Sequence, residues 1–426
     1  MSVVPGRTLT GVLSAGVLAL ASTSLWLSDG PQRARASGSG SAVPALSTTR
    51  PRSTARRFAL DPLAHRAEGE LRVADLDDGS RAELTLDASL QQHLTELYRR
   101  YEVPYGAAVA LEPHSGRVLA YVSHSSANPK AGDLVRDPSP PSASVFKVIT
   151  ASALVDAGVT PGSRVCYSGG FRRLQLRDLN DDPKRDKSCA TLSEAMGGSI
   201  NTVFAKLADR HLDQPTVERY AEAFGFGHHL PFDAATRVSR AEVPEERLEF
   251  ARTAAGFWHM HMSPLHGALI AATIANDGAM PRASIVERVV GEDGAERYRL
   301  PQAPKSFRSV LPRGTAQAVG RMMSRTVTHG TSRSAFYDPA GRPFLPGVEV
   351  AGKTGSLSSE RPYRAYSWWV GFAPRDKPQI AVAALVVNTP KWRIKASYVA
   401  REALRHYLIA GKRTGAASKA PGKSAQ

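Results

Sequence analysis

Ser144 and Lys147 stand three residues apart in DPSPPSASVFKVITASALVDAG (137–158), where a proline cluster gives way to a helical run ending at Gly158. The pattern predicts a helix starting close to Ser144, which stacks the two side chains one turn apart on one face. A free serine is a poor nucleophile. A lysine within reach can activate it if burial or another cation lowers the pKa of the amine. The helix N-terminus adds positive partial charge where an oxyanion would form. An N-cap serine followed by a lysine packed along a core helix has the same spacing, so the pair alone does not decide, although it is the only Ser-x-x-Lys in the chain.

Two further groups have the residue types that such chemistry needs. Ser199-Ile200-Asn201 lies in the helix-like run TLSEAMGGSINTVFAKLA; a second Ser-x-Asn, at Ser126 and Asn128, sits beside Pro129 in a loop and precedes the Ser-x-x-Lys. Lys353-Thr354-Gly355-Ser356 follows VEVAG (348–352), at the end of an expected strand where a small residue lets a ligand lie along the edge. The lysine can orient an anionic substrate and the hydroxyls can bind its carboxylate.

The elements that must position these groups follow from periodicity. AELTLDASLQQHLTELYRRY predicts a short strand and then an amphipathic helix capped near Asp87 or Ser89. GAAVALEPHSGRVLAYVS (106–123) predicts a β-hairpin turning at Pro113 to Gly116. Late strands are expected at 348–352, 367–373 and 380–387, the last two joined by PRDKPQ. Strands at both ends with helices between predict an α+β fold: one antiparallel sheet built from sequence-distant pieces, flanked by helices, with a mainly helical subdomain.

With 426 residues, 42% hydrophobic and 22% charged, the chain has the composition of a globular protein, which excludes disordered, collagenous and disulfide-scaffold classes. The net charge of +16 is concentrated: six Arg and no acid between 31 and 60, four cations and no acid between 407 and 426. The body from 61 to 406 is only +6, which argues against nucleic acid as partner. LTGVLSAGVLALASTSLWL (9–27) carries no charge and approaches a span of about 20 residues. Arg7 on its short side predicts that the tip stays in the cytoplasm and the rest crosses. We read the segment as a retained anchor; a cleaved signal with Ala19-Leu20-Ala21 as its cleavage site is the alternative.

The expected layout is therefore an anchor or signal at 1–30, a basic Ser/Pro/Gly-rich linker at 31–79, one domain at 80–410 and a basic disordered tail at 411–426. Export makes a disulfide between Cys166 and Cys189 plausible, with two separate buried thiols as the alternative. No zinc-type spacing occurs, and His259-Met260-His261 reads as packing. No metal and no cofactor are expected.

Ser-x-x-Lys, Ser-x-Asn and Lys-Thr-Gly in this order resemble the penicilloyl-serine transferases, and the chain resembles a penicillin-binding protein transpeptidase domain. The likeness extends to LTLDASLQQHL, to the hairpin, to MSPLHGALIAATIANDGAMPRASIVERV (with Ser263 and His266 as departures) and to VGFAP at 370–374. The resemblance implies a peptidoglycan D,D-transpeptidase of the bacterial cell envelope, acting on stem peptides and inhibited by β-lactams. It implies that Ser144 attacks, Lys147 takes the serine proton, Ser199 relays a proton, Lys353 keeps the potential positive and Asn201 holds the substrate amide. Thr354 and Ser356, with Gly355 between them, would bind the substrate carboxylate, and the N–H groups of Ser144 and Ser356 would form the oxyanion hole. A D,D-carboxypeptidase is the nearer alternative, because the motifs do not encode the acceptor. A serine β-lactamase is less favoured: Glu245-Glu246-Arg247-Leu248-Glu249 only approximates the deacylating segment of one class. A non-catalytic β-lactam sensor or scaffold is disfavoured by the intact serine and lysines. About 50 residues between the apolar segment and the domain leave no room for a glycosyltransferase or a sizeable pedestal, and cell-wall synthesis partners are not specified.

Overall fold

The computed structural model describes residues 58–170, 173–304 and 306–410. The apolar segment 9–27, most of the basic linker and the tail 411–426 lie outside the described residues. Among the described residues no helix is long and apolar enough to cross a membrane.

The main sheet has five strands, numbered here in chain order: β1 (Tyr105–Leu111), β2 (Val118–His124), β3 (Ala351–Glu360), β4 (Tyr363–Ala373) and β5 (Ile380–Asn388). Their spatial order is β3-β4-β5-β1-β2, antiparallel throughout, so the early hairpin and the late strands meet through β5 and β1. This is the α+β architecture expected from sequence. Every residue of β5 is buried, because helices cover both faces of the sheet and leave no position for a polar alternation.

The helices that matter for the site are α1 (Ala88–Arg100), α2 (Lys147–Asp156), α3 (Leu192–Gly198), α4 (Asn201–His211), α5 (Pro264–Ala275), α6 (Arg313–Thr328) and α7 (Ala396–Arg405). Helices α5 and α6 pack on one face of the sheet, α1 and α7 on the other. Asp87 caps α1 by accepting from the Leu90 N–H at 2.8 Å. Helix α2 is buried from Lys147 through Leu154, which is the pattern of a helix enclosed on all sides rather than one lying at the surface.

Two expectations are corrected. Residues 66–75, assigned to the linker from sequence, form strands Arg66–Glu68 and Leu71–Asp75, which join Arg81–Leu84, Val286–Val290 and Glu296–Arg299 in a second antiparallel sheet. Their charge-rich sequence hid them: Val73 and Ala74 are buried, and the strands are otherwise held by pairing and by ion pairs such as Arg66 with Asp75. The strand expected at 348–352 instead starts at Ala351 and runs for 10 residues, so Lys353–Ser356 lies inside it, on an edge strand of the sheet.

Candidate active site

Ser144 is the second residue of a 3-10 turn, Ala143–Phe146, that leads straight into α2. Ala143 has φ of 51°, in the left-handed region that a Cβ disfavours. Three hydrogen bonds hold the chain there: Ser142 N–H to Met260 O (2.8 Å), Met262 N–H to Pro140 O (3.0 Å) and Trp368 Nε1–H to Pro141 O (2.8 Å). Such over-determination is what lets a strained backbone persist beside a reactive group.

Two glycines allow the surrounding elements to close on the turn. A Cβ at Gly256, whose φ is +81°, would lie 2.5 Å from Ala143 O and 2.9 Å from Ser144 Cα. A Cβ on Gly355 would lie 3.1 Å from Ser142 O, tighter than an ordinary contact, so glycine there lets strand β3 lie against the turn without displacing it.

Lys147 is wholly buried, while Ser144 remains half-buried at the opening. The Lys147 amine donates to Ser144 Oγ at 2.9 Å, to Asn201 Oδ1 at 2.7 Å and, by a short contact, to Ala255 O. All three acceptors are uncharged, and the amine also lies 5.5 Å from the centre of the Phe204 ring. Burial, and then the charge of Lys353, push the Lys147 amine well below its usual range. Lys353, also wholly buried, donates to Ser199 Oγ at 2.9 Å and to Thr354 O at 2.8 Å, and burial brings it down to about 7.

Ser199 does not continue a helix, as its sequence context had suggested. It sits between α3 and α4 with φ of 54°, a left-handed cap that turns its hydroxyl toward Lys353 and lets α4 restart at Asn201. Asn201 Nδ2 donates to Gly170 O at 3.1 Å, which leaves Oδ1 to face Lys147. Thr354 Oγ1 shares a 2.5 Å hydrogen bond with Thr331 Oγ1, on the turn that follows α6. Ser356 is exposed on β3.

The structure thus brings Ser144, Lys147 and Asn201 into one hydrogen-bonded set and Lys353, Ser199 and Thr354 into a second, near enough for the charge of Lys353 to depress the Lys147 amine, with Gly355 and Ser356 next along the strand. Cys166 and Cys189 lie apart from it. They face each other in the ribbon Arg164–Tyr167/Ser188–Thr191 and form a disulfide that closes the loop carrying Gly170. Sequence reasoning missed the Ala255 carbonyl, Gly256, Gly170 and Thr331. The first three act through backbone or through lack of a side chain, and the only trace in the sequence is a helix stop at Ala-Ala-Gly (254–256). Thr331 had no periodic or motif signal.

Other candidates are engaged elsewhere. Glu246 caps the helix Arg247–Ala254, Glu249 pairs with Arg252 and His259, and Glu245 is exposed. His261 bonds Ser139 O at 2.8 Å.

Chemically, the group offers a hydroxyl at an opening, a depressed amine in contact with it, and a second cation behind a second hydroxyl. That is the equipment for serine acylation with proton transfer between lysines and hydroxyls. Comparison with known proteins agrees. The penicillin binding protein transpeptidase domain family matches residues 106–408. A peptidoglycan D,D-transpeptidase PbpA of Mycobacterium tuberculosis is 28% identical over 384 residues, covering 79% of this chain and 74% of that one. Peptidoglycan D,D-transpeptidase MrdA of Haemophilus influenzae is 23% identical over 384 residues, covering 78% of this chain and 56% of its own length. The solved structure of M. tuberculosis penicillin-binding protein A as a ceftriaxone acyl-enzyme superposes with a TM-score of 0.65 at 24% identity, covering 78% of this chain and 80% of that one. With the family model matched over residues 106–408, most of the chain, the chain belongs to the penicillin-binding protein transpeptidase family.

Proposed function

We propose that this chain is a peptidoglycan D,D-transpeptidase of the cell envelope that cross-links stem peptides through an acyl-enzyme on Ser144 and is acylated there by β-lactams. The observation that carries the reading is the 2.9 Å contact between Ser144 Oγ and a buried lysine amine that has no carboxylate partner among the described residues. Neutral Lys147 accepts the Ser144 proton as Oγ attacks the carbonyl between the last two D-alanines. The N–H groups of Ser144 and Ser356 take the oxyanion. The proton taken by Lys147 is relayed through the Ser199 hydroxyl, which is held by Lys353, to the departing D-alanine amine, so that Lys147 and Ser199 end the step as they began it. Asn201 orients both Lys147 and the substrate amide, while Thr354 and Ser356 hold the terminal carboxylate that Lys353 attracts. The amine of a second stem then attacks the ester, forming the cross-link and returning the proton to Ser144.

The catalytic domain in this reading runs from about residue 58 to 410. Residues 9–27 hold it at the cytoplasmic membrane on the outer side, and the Arg-rich linker lies against anionic headgroups or wall polymer. The test uses the purified protein with labelled penicillin, then with stem pentapeptide and an amine acceptor. Covalent label on Ser144, lost in Ser144→Ala, together with cross-linked product is expected. Undiminished labelling of Ser144→Ala overturns the nucleophile, and release of D-alanine without cross-linked product replaces the transpeptidase with a carboxypeptidase.

A further inference from the structure

The N-terminal half of α6 borders a cavity of about 600 Å3 that has no part in the chemistry above. Helix α6 has 16 residues, about 24 Å of rise, and it is its far end that leads into the turn bearing Thr331. The floor is apolar and buried: Ile274 from α5, Ala316 and Gly320 one turn apart on α6, and Phe372 from β4. Gly320 keeps the floor low, since a Cβ there would touch the Phe372 ring at 3.4 Å.

The rim is cationic. Arg313 and Arg321, two turns apart on α6, face Arg375 and Lys377 on the turn between β4 and β5, with Asp277 and Asp376 as the carboxylates among them. Asp277 is occupied by Arg313 at 3.3 Å and by Gln317 at 3.0 Å. Asp376 and Glu349 both bond Nη2 of Arg375 at 2.9 Å, while Nε of Arg375 is buried without a partner. Arg321 and Lys377 have no ion pair among the described residues, and both are exposed at the mouth.

A concave site of this volume, apolar below and carrying a few convergent polar groups above, has the form of a small-molecule site. Guanidinium and ammonium groups left unpaired beside it select an oxyanion, a phosphate above all. We propose that this cavity binds an amphipathic phosphate: a monoester head held by Arg321 and Lys377, with an apolar body lying on Phe372 and Ile274. An apolar body distinguishes such a ligand from a simple counterion, because the cations alone would give only a weak, salt-screened attraction.

The test titrates the full-length protein with hexyl phosphate, inorganic phosphate and hexanol at fixed ionic strength. Saturable binding of hexyl phosphate at least tenfold tighter than either fragment is expected, weakened at least tenfold in the Arg321→Ala/Lys377→Ala double variant. Equal affinity for inorganic phosphate, or binding indifferent to the double variant, overturns the proposal. Both side chains are exposed, and unchanged penicillin labelling of Ser144 in the double variant reports that it is folded. Competition against bound hexyl phosphate separates the two sources of such a head: displacement by a short-chain phosphatidic acid assigns it to a lipid, and displacement by a soluble aryl phosphate alone assigns it to a soluble ester.

Discussion

Lys147 and Lys206 are both wholly buried, and helix α4 borders both, yet their surroundings are opposite. Lys206 reaches out from α4 to Asp186 at 2.5 Å, Asp181 at 3.2 Å and Cys166 O at 3.0 Å, beside the disulfide ribbon. Burial would raise the Asp186 carboxyl, but hydrogen bonds, that of Lys206 foremost, bring it below its ordinary value. Lys147 meets only a hydroxyl, an amide oxygen and a backbone carbonyl, with a second lysine as its nearest charge. The contrast teaches that burial alone does not make a base. A buried amine held by carboxylates is a fastener; neutral acceptors and a like charge push the amine's pKa down and favour its reactive, neutral form.

The comparison breaks first, and by the largest effect, at Lys147. Lys147→Met should slow acylation by penicillin by roughly 10³-fold, within the range for loss of a general base. Thermal unfolding should shift up or not at all, because a lysine with a depressed folded pKa destabilises the fold at every pH below its ordinary 10.5. A large fall in the melting temperature would make Lys147 a fastener after all. Lys206→Met should do the reverse. Stranding the buried Asp186 carboxylate costs about 3 kcal/mol in denaturant unfolding, while the folded fraction still labels at Ser144 near the parental rate. Stability within error of the parent would remove the distinction.

The smallest effect sharpens the pairing of the two active-site lysines. Lys147 must be neutral to accept a proton, so acylation rises with pH through its depressed pKa. Lys353 must be charged to attract the substrate carboxylate, and with a pKa of about 7 it loses that charge as pH rises. The acylation rate should therefore fall above about pH 7, by roughly tenfold per unit. In Lys353→Arg that alkaline limb should move out of range, since guanidinium stays charged. An identical limb in the variant would assign it to another group.

What was legible in the chain was carried by side-chain type and short spacing. Ser144 and Lys147 are joined within a single turn, so three-residue spacing was enough to pair them. The hairpin at 106–123, β5 and α1 follow from apolar period and cap. The strands at 66–75 were not legible, since their pairing partners lie elsewhere and Val73 and Ala74 are the only residues they bury. Nor was the left-handed Ser199: Gly197 and Gly198 hint at a break, but the run around them reads as one helix.

The sequence by itself determined the pairing of Ser144 with Lys147 and the order of the motifs, because those are local facts of residue type and spacing. Only the tertiary structure decided that the Lys147 amine is buried among neutral acceptors with its pKa pushed down. Its acceptors Asn201 and Ala255 lie 54 and 108 residues away, and Lys353 reaches Ser199 across 154. A pKa is set by the dielectric and the charges in the surrounding volume, and those are assembled only when distant segments pack together.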